Sequence, residues 1–497
     1  MTDAVTVREI ERKYEAGAGA RPVLTGVRGV AYESGPETQV LDAVYYDTAD
    51  LRLLGAGVTL RRRAGGGDAG WHLKLPAGRD TRDEVRLPPG GDDVPAALAG
   101  LVRARTRGAA LAPVVRMRTT REVRRLLDDR RRTLAEVAVD SVTALPLVGP
   151  GADAAWQEIE VELVGGGRKL LHAIDARLTE AGARPAAASS KLERVLGARL
   201  PARPAPVTAA STAGAAVLAY VDAQARAIAA LDTAVRRDEP DAVHQMRVAI
   251  RRTRSALRTF GPLFDRDRTR EVSGELTWLA GSLAAVRDGE ITAGRVRAGL
   301  GLVEQVEGVE IAGARVEAYF GRVGTAARDG ALRGLDGERY LAVLEGLDGL
   351  VREGAVTKAA RRAGSAELPG MVGRAYRRLA RDVARARDGG GDLAVHEARK
   401  AAKRARYAAE AAEPVLGKGA RKLVRRMRGL QDLLGEHHDS VVARAAVREI
   451  AAEARAAGED TFVYGLLYAR EQRLADEAER ALAAAWARTD RRHPWAR

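Results

Sequence analysis

The chain has 497 residues, more than one hydrophobic core usually serves, so we expect at least two domains. It contains no cysteine, which excludes disulfides, thiolate metal sites and thiol catalysis and fits a reducing compartment. Hydrophobic residues make up 46% and charged residues 30% of the sequence, a mixture typical of folded domains. The 82 Lys and Arg against 67 Asp and Glu leave a formal charge of +15, which favours polyanionic partners such as nucleic acid, phosphate polymers or anionic lipid.

The first residues, MTDAVTVREIERK, carry charges where a secretory signal would need an apolar stretch. No later window approaches the ~18 consecutive apolar residues of a membrane span. We therefore expect a soluble cytoplasmic protein without a membrane partner.

The periodicity of the sequence changes once, close to residue 200. Residues 1–200 hold short runs in which apolar and polar residues alternate, the period of β-strands, whereas from about residue 213 long Ala/Leu/Arg runs have helical spacing. The stretch LPARPAPVTAASTAG between them has the composition of an interdomain linker. We predict an α+β two-domain chain with a strand-rich domain at 1–200, a linker at 201–212 and an all-α domain at 213–497.

Seven runs in the first half each carry a charged face and a mostly apolar face, because side chains alternate across a strand. For any single strand, a solvated outer surface is the more ordinary interpretation. Here, however, the polar faces are almost purely carboxylate and guanidinium and separate strand by strand into acidic and basic sets. This pattern favours a barrel with a charged interior that binds a polyanion and a hard divalent cation, Mg²⁺ or Mn²⁺. The charged positions are Glu9, Glu11 and Lys13; Arg61 and Arg63; His72 and Lys74; Glu84 and Arg86; Arg116 and Arg118; Glu136 and Asp140; and Glu158, Glu160 and Glu162.

The segment Glu9-Ile-Glu11-Arg-Lys13 resembles the Glu-x-Glu-x-Lys signature of CYTH domains, the triphosphate tunnel metalloenzymes. The order of the motifs that follow, from YYDTAD through LRRR, WHLKLP, EVAVD and EIEVEL to SSKLERVL, is similar as well, over about the first 200 residues. The resemblance implies a closed antiparallel β-barrel whose tunnel hydrolyses a triphosphate by phosphoryl transfer to water.

The resemblance also implies roles for individual residues. Glu9 and Glu11, with Glu158 and Glu160, would hold the metal, and Lys13 would balance the acidic pair and contact phosphate. We take His72 as structural and the glycine-rich stretch 64–70 as a hairpin connection. The phosphates would be held by Arg61, Arg63, Lys74, Arg116, Arg118 and Lys191.

The second half contains a duplication. In VHQMRVAIRRTRSALRTF (243–260) and VHEARKAAKRARYAAE (395–410), an apolar stripe is followed one residue behind by a basic stripe that begins with histidine. A second element, from Leu276 to Asp288, recurs from Met427 to Asp439. Two matched elements in the same order predict two similar helical bundles, at about 213–335 and 336–490, whose basic stripes line one shared groove.

A single Arg-rich helix face is more often a solvated surface, but repetition in the same register favours an anion site. Adjacent His437 and His438 point about 100° apart on a helix, which disfavours a shared metal. These features resemble the CHAD domain, an α-helical domain that accompanies CYTH in many bacterial chains. The resemblance implies a basic groove that binds inorganic polyphosphate, with the cluster KGARKLVRRMR (418–428) as a further candidate. The implied contacts are His244, Arg247, Arg251, Arg254, His396, Arg399, Lys403 and Arg406.

The sequence therefore predicts a metal-dependent triphosphatase fused to a polyphosphate-binding domain, in the cytoplasm and in association with polyphosphate granules. The small number of aromatic residues disfavours single-stranded nucleic acid as the polyanion. Two alternatives stay open, a non-catalytic polyphosphate adaptor and an adenylate cyclase, and the sequence leaves the oligomeric state open too.

Overall fold

The computed structural model describes residues 4–15, 17, 22–149, 152–202, 205–354 and 357–489. The chain divides into two compact units between residues 204 and 205. This division falls inside the predicted linker 201–212, of which residues 203 and 204 lie outside the described residues. The predicted ends of the second repeat, at 490, and of the helical domain, at 497, also lie outside them. The exact domain and repeat boundaries stay predictions.

Unit 1 combines β-strands with short helices, as the alternating sequence pattern predicts. Its described helices are α1 (Arg52–Gly55), α2 (Ala96–Thr106), α3 (Arg168–Glu180) and α4 (Lys191–Leu196), the last continued by a 3₁₀ turn at Gly197–Arg199. Its described strands are β1 (Val5–Glu15), β2 (Tyr32–Glu33), β3 (Glu37–Asp47), β4 (Thr59–Ala64), β5 (Gly70–Gly78), β6 (Thr81–Leu87), β7 (Ala112–Leu127), β8 (Thr133–Pro146), β9 (Ala154–Leu163) and β10 (Arg184–Pro185).

Eight of these strands close into an antiparallel barrel in the order β1-β6-β5-β4-β3-β7-β8-β9, and β9 pairs back with β1. The closure is possible because the first half of β1 pairs with β6 and its second half with β9. The glycine-rich stretch connects β4 to β5, and a Cβ on Gly65, at φ +82°, would lie 2.2 Å from the carbonyl oxygen of Val40. Only glycine fits there. The predicted closed barrel is confirmed.

The barrel turns most of its apolar side chains outward. Trp71 and Leu73 of β5 pack against α2, and Ile159 and Val161 of β9 pack against α3. Because side chains alternate along a strand, the charged residues of the same strands point into the barrel. One stretch differs, since the inward-facing Met117 of β7 belongs to an apolar cluster with residues of α4.

The described part of unit 2 is helical apart from one isolated β-bridge. Helix α5 has the length and the mean hydropathy, 1.2, of a membrane span, but core helices of soluble proteins pass the same test. The helices are α5 (Ala213–Arg236), α6 (Ala242–Thr259), α7 (Arg266–Ser282), α8 (Ala284–Leu300), α9 (Val309–Asp336), α10 (Glu338–Glu353), α11 (Lys358–Arg361), α12 (Gly364–Arg387), α13 (Gly391–Leu416), α14 (Lys418–Ala456) and α15 (Phe462–Thr489), with a 3₁₀ turn at Gly261–Leu263.

The helix order repeats within unit 2. Helices α5, α6 and α9 match α12, α13 and α15 in position, and α7 with α8 matches the single long helix α14. At the starts of α5 and α12 the backbone bonds are reciprocal: Ala213 N donates to Arg362 O and Gly364 N donates to Ser211 O, both at 3.0 Å. Reciprocal contacts between equivalent residues are what a pseudo-twofold axis requires. This arrangement supports the duplication read from the sequence.

Candidate functional site: a charged tunnel and a basic groove

The inward-facing side chains of the barrel line one charged tunnel. Opposite charges pair across it, so that the free volume between the side chains is only ≈ 80 Å³. Sequence reasoning assigned eleven residues of this domain to substrate, metal or catalysis. Eight of them lie in the tunnel lining, namely Glu9, Glu11, Lys13, Arg61, Arg63, Lys74, Glu160 and Lys191.

Arg116 and Arg118 were assigned to phosphate, and the structure places them elsewhere. They pair in register with Val44 and Asp42, on the opposite face of β7 from Met117. Arg116 is 59% exposed and donates to Asp42 at 2.8 and 3.1 Å. The prediction was wrong because the inner face of this part of β7 is apolar and packs against α4. The arginine of β7 that does line the tunnel is Arg121.

A group of carboxylates marks one part of the tunnel. Glu9 accepts from Lys74 Nζ at 2.5 Å, and Glu11 lies opposite Glu162 in the β1–β9 register. Burial opposes the ionisation of Glu11, but Lys13 and Lys74 lower its pKa to about 2. Burial and the charge of Glu9 raise the pKa of Glu162 to about 7. A carboxylate whose pKa is raised by other carboxylates signals negative charge that the nearby lysines do not balance.

A second acidic group is already balanced by a lysine. Asp140, Glu158 and Glu160 offer oxygens within 4.8 Å of one another, a spacing that a metal ion could use. Lys191 Nζ, however, lies 2.8, 2.7 and 2.6 Å from these three carboxylates. Its ammonium thus takes the central position that a cation would occupy. The resemblance implied that Glu158 and Glu160 bind metal and that Lys191 binds phosphate. In the structure, these three residues pair with one another instead.

Arginines concentrate positive charge in another part of the tunnel. Within the described part of the chain, neither Arg61 Nε nor Arg63 Nε has a hydrogen-bond acceptor, and both atoms are buried. Burial and the neighbouring cations Arg61 and Arg121 lower the pKa of Arg63 to about 9. Arg63 pairs with Asp68 through Nη2, but this one carboxylate does not outweigh burial and the two neighbouring cations. The tunnel is therefore short of negative charge beside Arg63 and short of positive charge beside Glu162.

His72 lies on the same face of β5 as Lys74 and contacts tunnel residues. It is buried, with Nδ1 at 2.9 Å from Glu84 Oε1 and Nε2 at 2.8 Å from the carbonyl oxygen of Asp68. These contacts fix the carboxylate of Glu84, which also lies 3.7 Å from both Arg61 and Lys74. His72 thus supports the tunnel wall, in keeping with the structural role expected for it.

Sequence reasoning left several tunnel residues without a role. Most of them had a signal in the alternation of charged residues: Glu162 alternates with the assigned Glu160, and Arg82, Glu84 and Arg86 alternate on β6. Arg121 carried no such signal, since the assigned arginines of its strand face the other way. The residues concerned are Arg82, Glu84, Arg86, Arg121, Glu162 and the adjoining Asp140.

Unit 2 contains a basic groove between α6, α7 and α13. Of the predicted contacts, Arg251, Arg254 and Lys403 line it. Burial and the neighbouring cations Arg399 and Arg251 lower the pKa of Lys403 to about 7. Arg251 belongs to the first repeat and Lys403 to the second, so cations of the two repeats lie close enough to disfavour one another's charge. Arg258, which continues the basic stripe of α6, lines the groove as well. Further polar and charged lining residues are Ser255, Arg266, Thr269, Arg270, Ser273, Thr277, Lys400, Arg404 and Tyr407.

The other predicted polyphosphate contacts do not line this groove. Arg247 donates to Asp288 at 2.9 Å, and the equivalent Arg399 donates to Asp439 at 3.3 Å, so the two repeats use the same pair.

The histidines of the basic stripes differ in their surroundings. His396 lies with its Nδ1 3.3 Å from Nδ1 of His438. His244 is half-buried, and burial and Arg287 lower its pKa.

Arg406 does not follow the prediction. It donates to Glu410 at 2.7 Å and to Gln431 at 3.0 Å, so its guanidinium is held by polar partners rather than presented to the groove. The cluster 418–428 forms the start of α14 and does not contribute to the groove lining.

Comparisons with known proteins agree with this division of the chain. The CYTH domain model matches residues 7–193 and the CHAD domain model matches residues 219–448. An uncharacterized protein of Mycobacterium tuberculosis, found in strains CDC 1551 and H37Rv, is 38% identical over 522 residues, which span 97% of this chain and 96% of the relative.

Solved structures resemble the two parts of the chain separately. PptA from Streptomyces chartreusis covers 56% of this chain and 100% of its own, at 24% identity and a TM-score of 0.47. The CHAD domain of Ricinus communis covers 59% and 96%, at 25% identity and a TM-score of 0.49. HpAC1 from Hippeastrum, for which a dominant triphosphatase activity is described, covers 39% and 97%, at 15% identity and a TM-score of 0.24.

Proposed function

Because this chain belongs to the proteins that join a CYTH domain to a CHAD domain, we propose that its tunnel hydrolyses inorganic triphosphate or a related triphosphate in a metal-dependent reaction. We propose further that the basic groove of its helical domain binds inorganic polyphosphate. CYTH members are triphosphatases or cyclases, so an enzymatic role is the natural starting point.

The observation that carries the proposal is the complementary charge imbalance inside one tunnel. Arg63 pairs with Asp68, yet its pKa is lowered and its buried Nε has no acceptor among the described residues, so it can bind a further anion. Glu162, with a pKa raised to about 7, calls for a cation. A phosphate chain with a bound divalent ion would supply the anion beside Arg63 and the cation beside Glu162.

Glu9, Glu11 and Glu162 would hold the Mg²⁺ or Mn²⁺, because both ions prefer carboxylate oxygens. When bound there, such an ion polarises a phosphate and a water for attack. Arg61, Arg63 and Arg121 would hold the phosphate oxygens and neutralise the charge that spreads over them in the transition state. Lys13 and Lys74 keep Glu11 ionised and ready to coordinate. No covalent nucleophile is required, because the attacking group is water.

The test of the enzymatic proposal is phosphate release from tripolyphosphate by the full chain with Mg²⁺ and with Mn²⁺. The double variant Glu9→Gln Glu11→Gln should lose the activity, by roughly 1,000-fold or more. The matched control, Arg116→Gln Arg118→Gln, removes two charges from the outer face and should keep the parent rate. A parent protein that releases no phosphate, or an inner-face variant as fast as the parent, would refute the proposal. Parallel reactions with ATP, thiamine triphosphate and long polyphosphate identify the substrate, and a cyclic product from ATP would indicate cyclase activity.

Polyphosphate binding by unit 2 is supported by the crowded cations of the groove. Arg251 and Arg254 of α6 and Lys403 of α13 line it, together with Arg266 and Arg270 of α7. A linear phosphate chain has the repeating charge that such a groove balances, and its binding should weaken steeply with salt.

An adaptor without turnover is the competing function, favoured by the ion pairs that fill the tunnel. Full chain that binds polyphosphate but turns over no member of the substrate panel would establish the adaptor. For the cell, we propose a cytoplasmic location at polyphosphate granules. A fluorescent fusion that stays diffuse in cells rich in polyphosphate would contradict the association with granules.

A further inference from the structure

Outside the tunnel and the groove, three helices of the second repeat bring metal-ligating side chains together. Asp392 at the start of α13, His437 in the middle of α14 and Glu479 in α15 each offer one ligand atom, and these atoms lie within 4.8 Å of one another. The trio is separate from the carboxylates of unit 1 and from the residues that line the basic groove.

The distances within the trio match a coordination sphere. His437 Nε2 lies 2.9 Å from Glu479 Oε1 and 3.2 Å from Asp392 Oδ1. Two ligands at about 2.1 Å from one tetrahedral zinc ion stand about 3.4 Å apart. Displacements of a few tenths of an ångström would therefore convert the present contacts into ligation.

The hydrogen bonding of the trio is incomplete without a cation. One imidazole nitrogen carries at most one proton, yet two carboxylates converge on Nε2 of His437. Arg444 is a nearby cation: it lies 3.5 Å from the other carboxylate oxygen of Asp392 and also donates to Gln472. The His437 side chain is only 3% exposed, so its ring is held in place, whereas Asp392 and Glu479 are about half exposed and leave access from solvent.

We propose that Asp392, His437 and Glu479 form a binding site for a borderline divalent transition ion, with Zn²⁺ the best match. One imidazole and two carboxylates suit Zn²⁺ better than Mg²⁺, which takes oxygen ligands and avoids nitrogen. Three protein ligands leave a fourth position for water, and the ion links α13, α14 and α15. The residue equivalent to His437 in the first repeat is Val286, so the site belongs to one repeat only and is not part of the duplicated anion groove. The inference does not depend on the proposed triphosphatase activity.

The experiment is a Zn²⁺ titration of untagged, chelator-treated full chain by calorimetry. The Glu9→Gln Glu11→Gln background weakens metal binding in the tunnel, so that the helical site dominates the titration. In that background we expect one tight equivalent of Zn²⁺. Glu479→Gln and His437→Gln should each weaken this equivalent by at least tenfold, because each removes one of three ligands. Asp476→Asn, one turn away on α15, is the matched control and should bind as the background does.

Co²⁺ in place of Zn²⁺ gives an independent readout, a visible absorption band that His437→Gln should abolish. Glu479 is exposed and its substitution disturbs no core, so the test stands even where His437→Gln fails to fold. Zn²⁺ should also raise the unfolding temperature of the background and not that of Glu479→Gln. The proposal is overturned if the background binds no tight Zn²⁺, or if Glu479→Gln binds it with unchanged affinity.

Discussion

Binding of polyphosphate in the helical groove should take up a proton, and Lys403 should be its source of pH dependence. Burial and the neighbouring cations Arg399 and Arg251 lower the pKa of Lys403 from 10.5 to about 7. At pH 8, about a tenth of the free protein therefore carries a charged Lys403. A phosphate chain between these side chains favours the ammonium form, so binding should take up about 0.9 proton at pH 8 and about 0.1 at pH 6.

The direction of the pH dependence follows from the lowered pKa of Lys403 in the free protein. The polyphosphate-bound state holds the Lys403 proton more tightly than the free protein does. The affinity for polyphosphate is therefore highest below pH 7 and falls as the pH rises, by about fivefold between pH 7 and pH 8. The histidine pair near the groove contributes little at pH 8, because burial and Arg399 lower the pKa of His438 to about 4.

The assay is calorimetry with long-chain polyphosphate, whose few end groups titrate negligibly, in two buffers of different ionisation enthalpy. Lys403→Arg keeps the charge but cannot lose its proton, so it should bind without proton uptake and without pH dependence. Lys400→Arg is the matched control: Lys400 lines the same groove but pairs with Glu397, and its variant should retain the parent's proton uptake. The reasoning is refuted if the parent takes up no proton at pH 8, or if Lys403→Arg takes up as many as the parent.

Three predictions concern the tunnel. Because burial and neighbouring carboxylates raise the pKa of Glu162 to about 7, Mn²⁺ binding at pH 6 should release about one proton from the parent and none from Glu162→Gln; equal release in calorimetry would contradict this. Arg63→Met should lower kcat/KM for triphosphate on the order of 100-fold, whereas Arg62→Met, which alters the adjacent residue paired with Asp92, should stay within twofold; equal losses in a phosphate-release assay would argue against a phosphate role for Arg63. Lys191→Met leaves three buried carboxylates without their ammonium and should destabilise unit 1 by about 3 kcal/mol or more, seen as a lower urea midpoint of tryptophan fluorescence; an unchanged midpoint would contradict the pairing.

The barrel was predictable because alternation is a local property. Glu9 and Glu11, two residues apart on β1, must share a face, and the segregation of acids from bases on neighbouring strands indicated an enclosed interior. Alternation does not state which face is inner, however. Arg116 and Arg118 share a face as predicted, but it is the outer one, because α4 fills the barrel beside β7 with apolar side chains. Helix α4, the packing partner that decides which face of β7 turns inward, lies far from β7 in the sequence.

The sequence pattern also could not predict ion pairs between residues that lie far apart in the sequence. Lys191 belongs to a short helix after the last barrel strand, and only the folded chain shows that it neutralises Asp140, Glu158 and Glu160. In the helical unit, the 100° rule for adjacent helical residues did hold: His437 turns to Glu479 and His438 turns to His396. The same spacing rule placed Arg406 on the basic stripe without revealing that Glu410 and Gln431 would hold it.

Crystals of the full chain soaked with Mn²⁺ and a non-hydrolysable triphosphate analogue, with the manganese located by anomalous scattering, would examine the tunnel chemistry at first hand. We predict manganese between Glu9, Glu11 and Glu162, with the phosphate chain against the guanidinium groups of Arg61 and Arg63. Manganese or phosphates bound only outside the barrel would contradict the account.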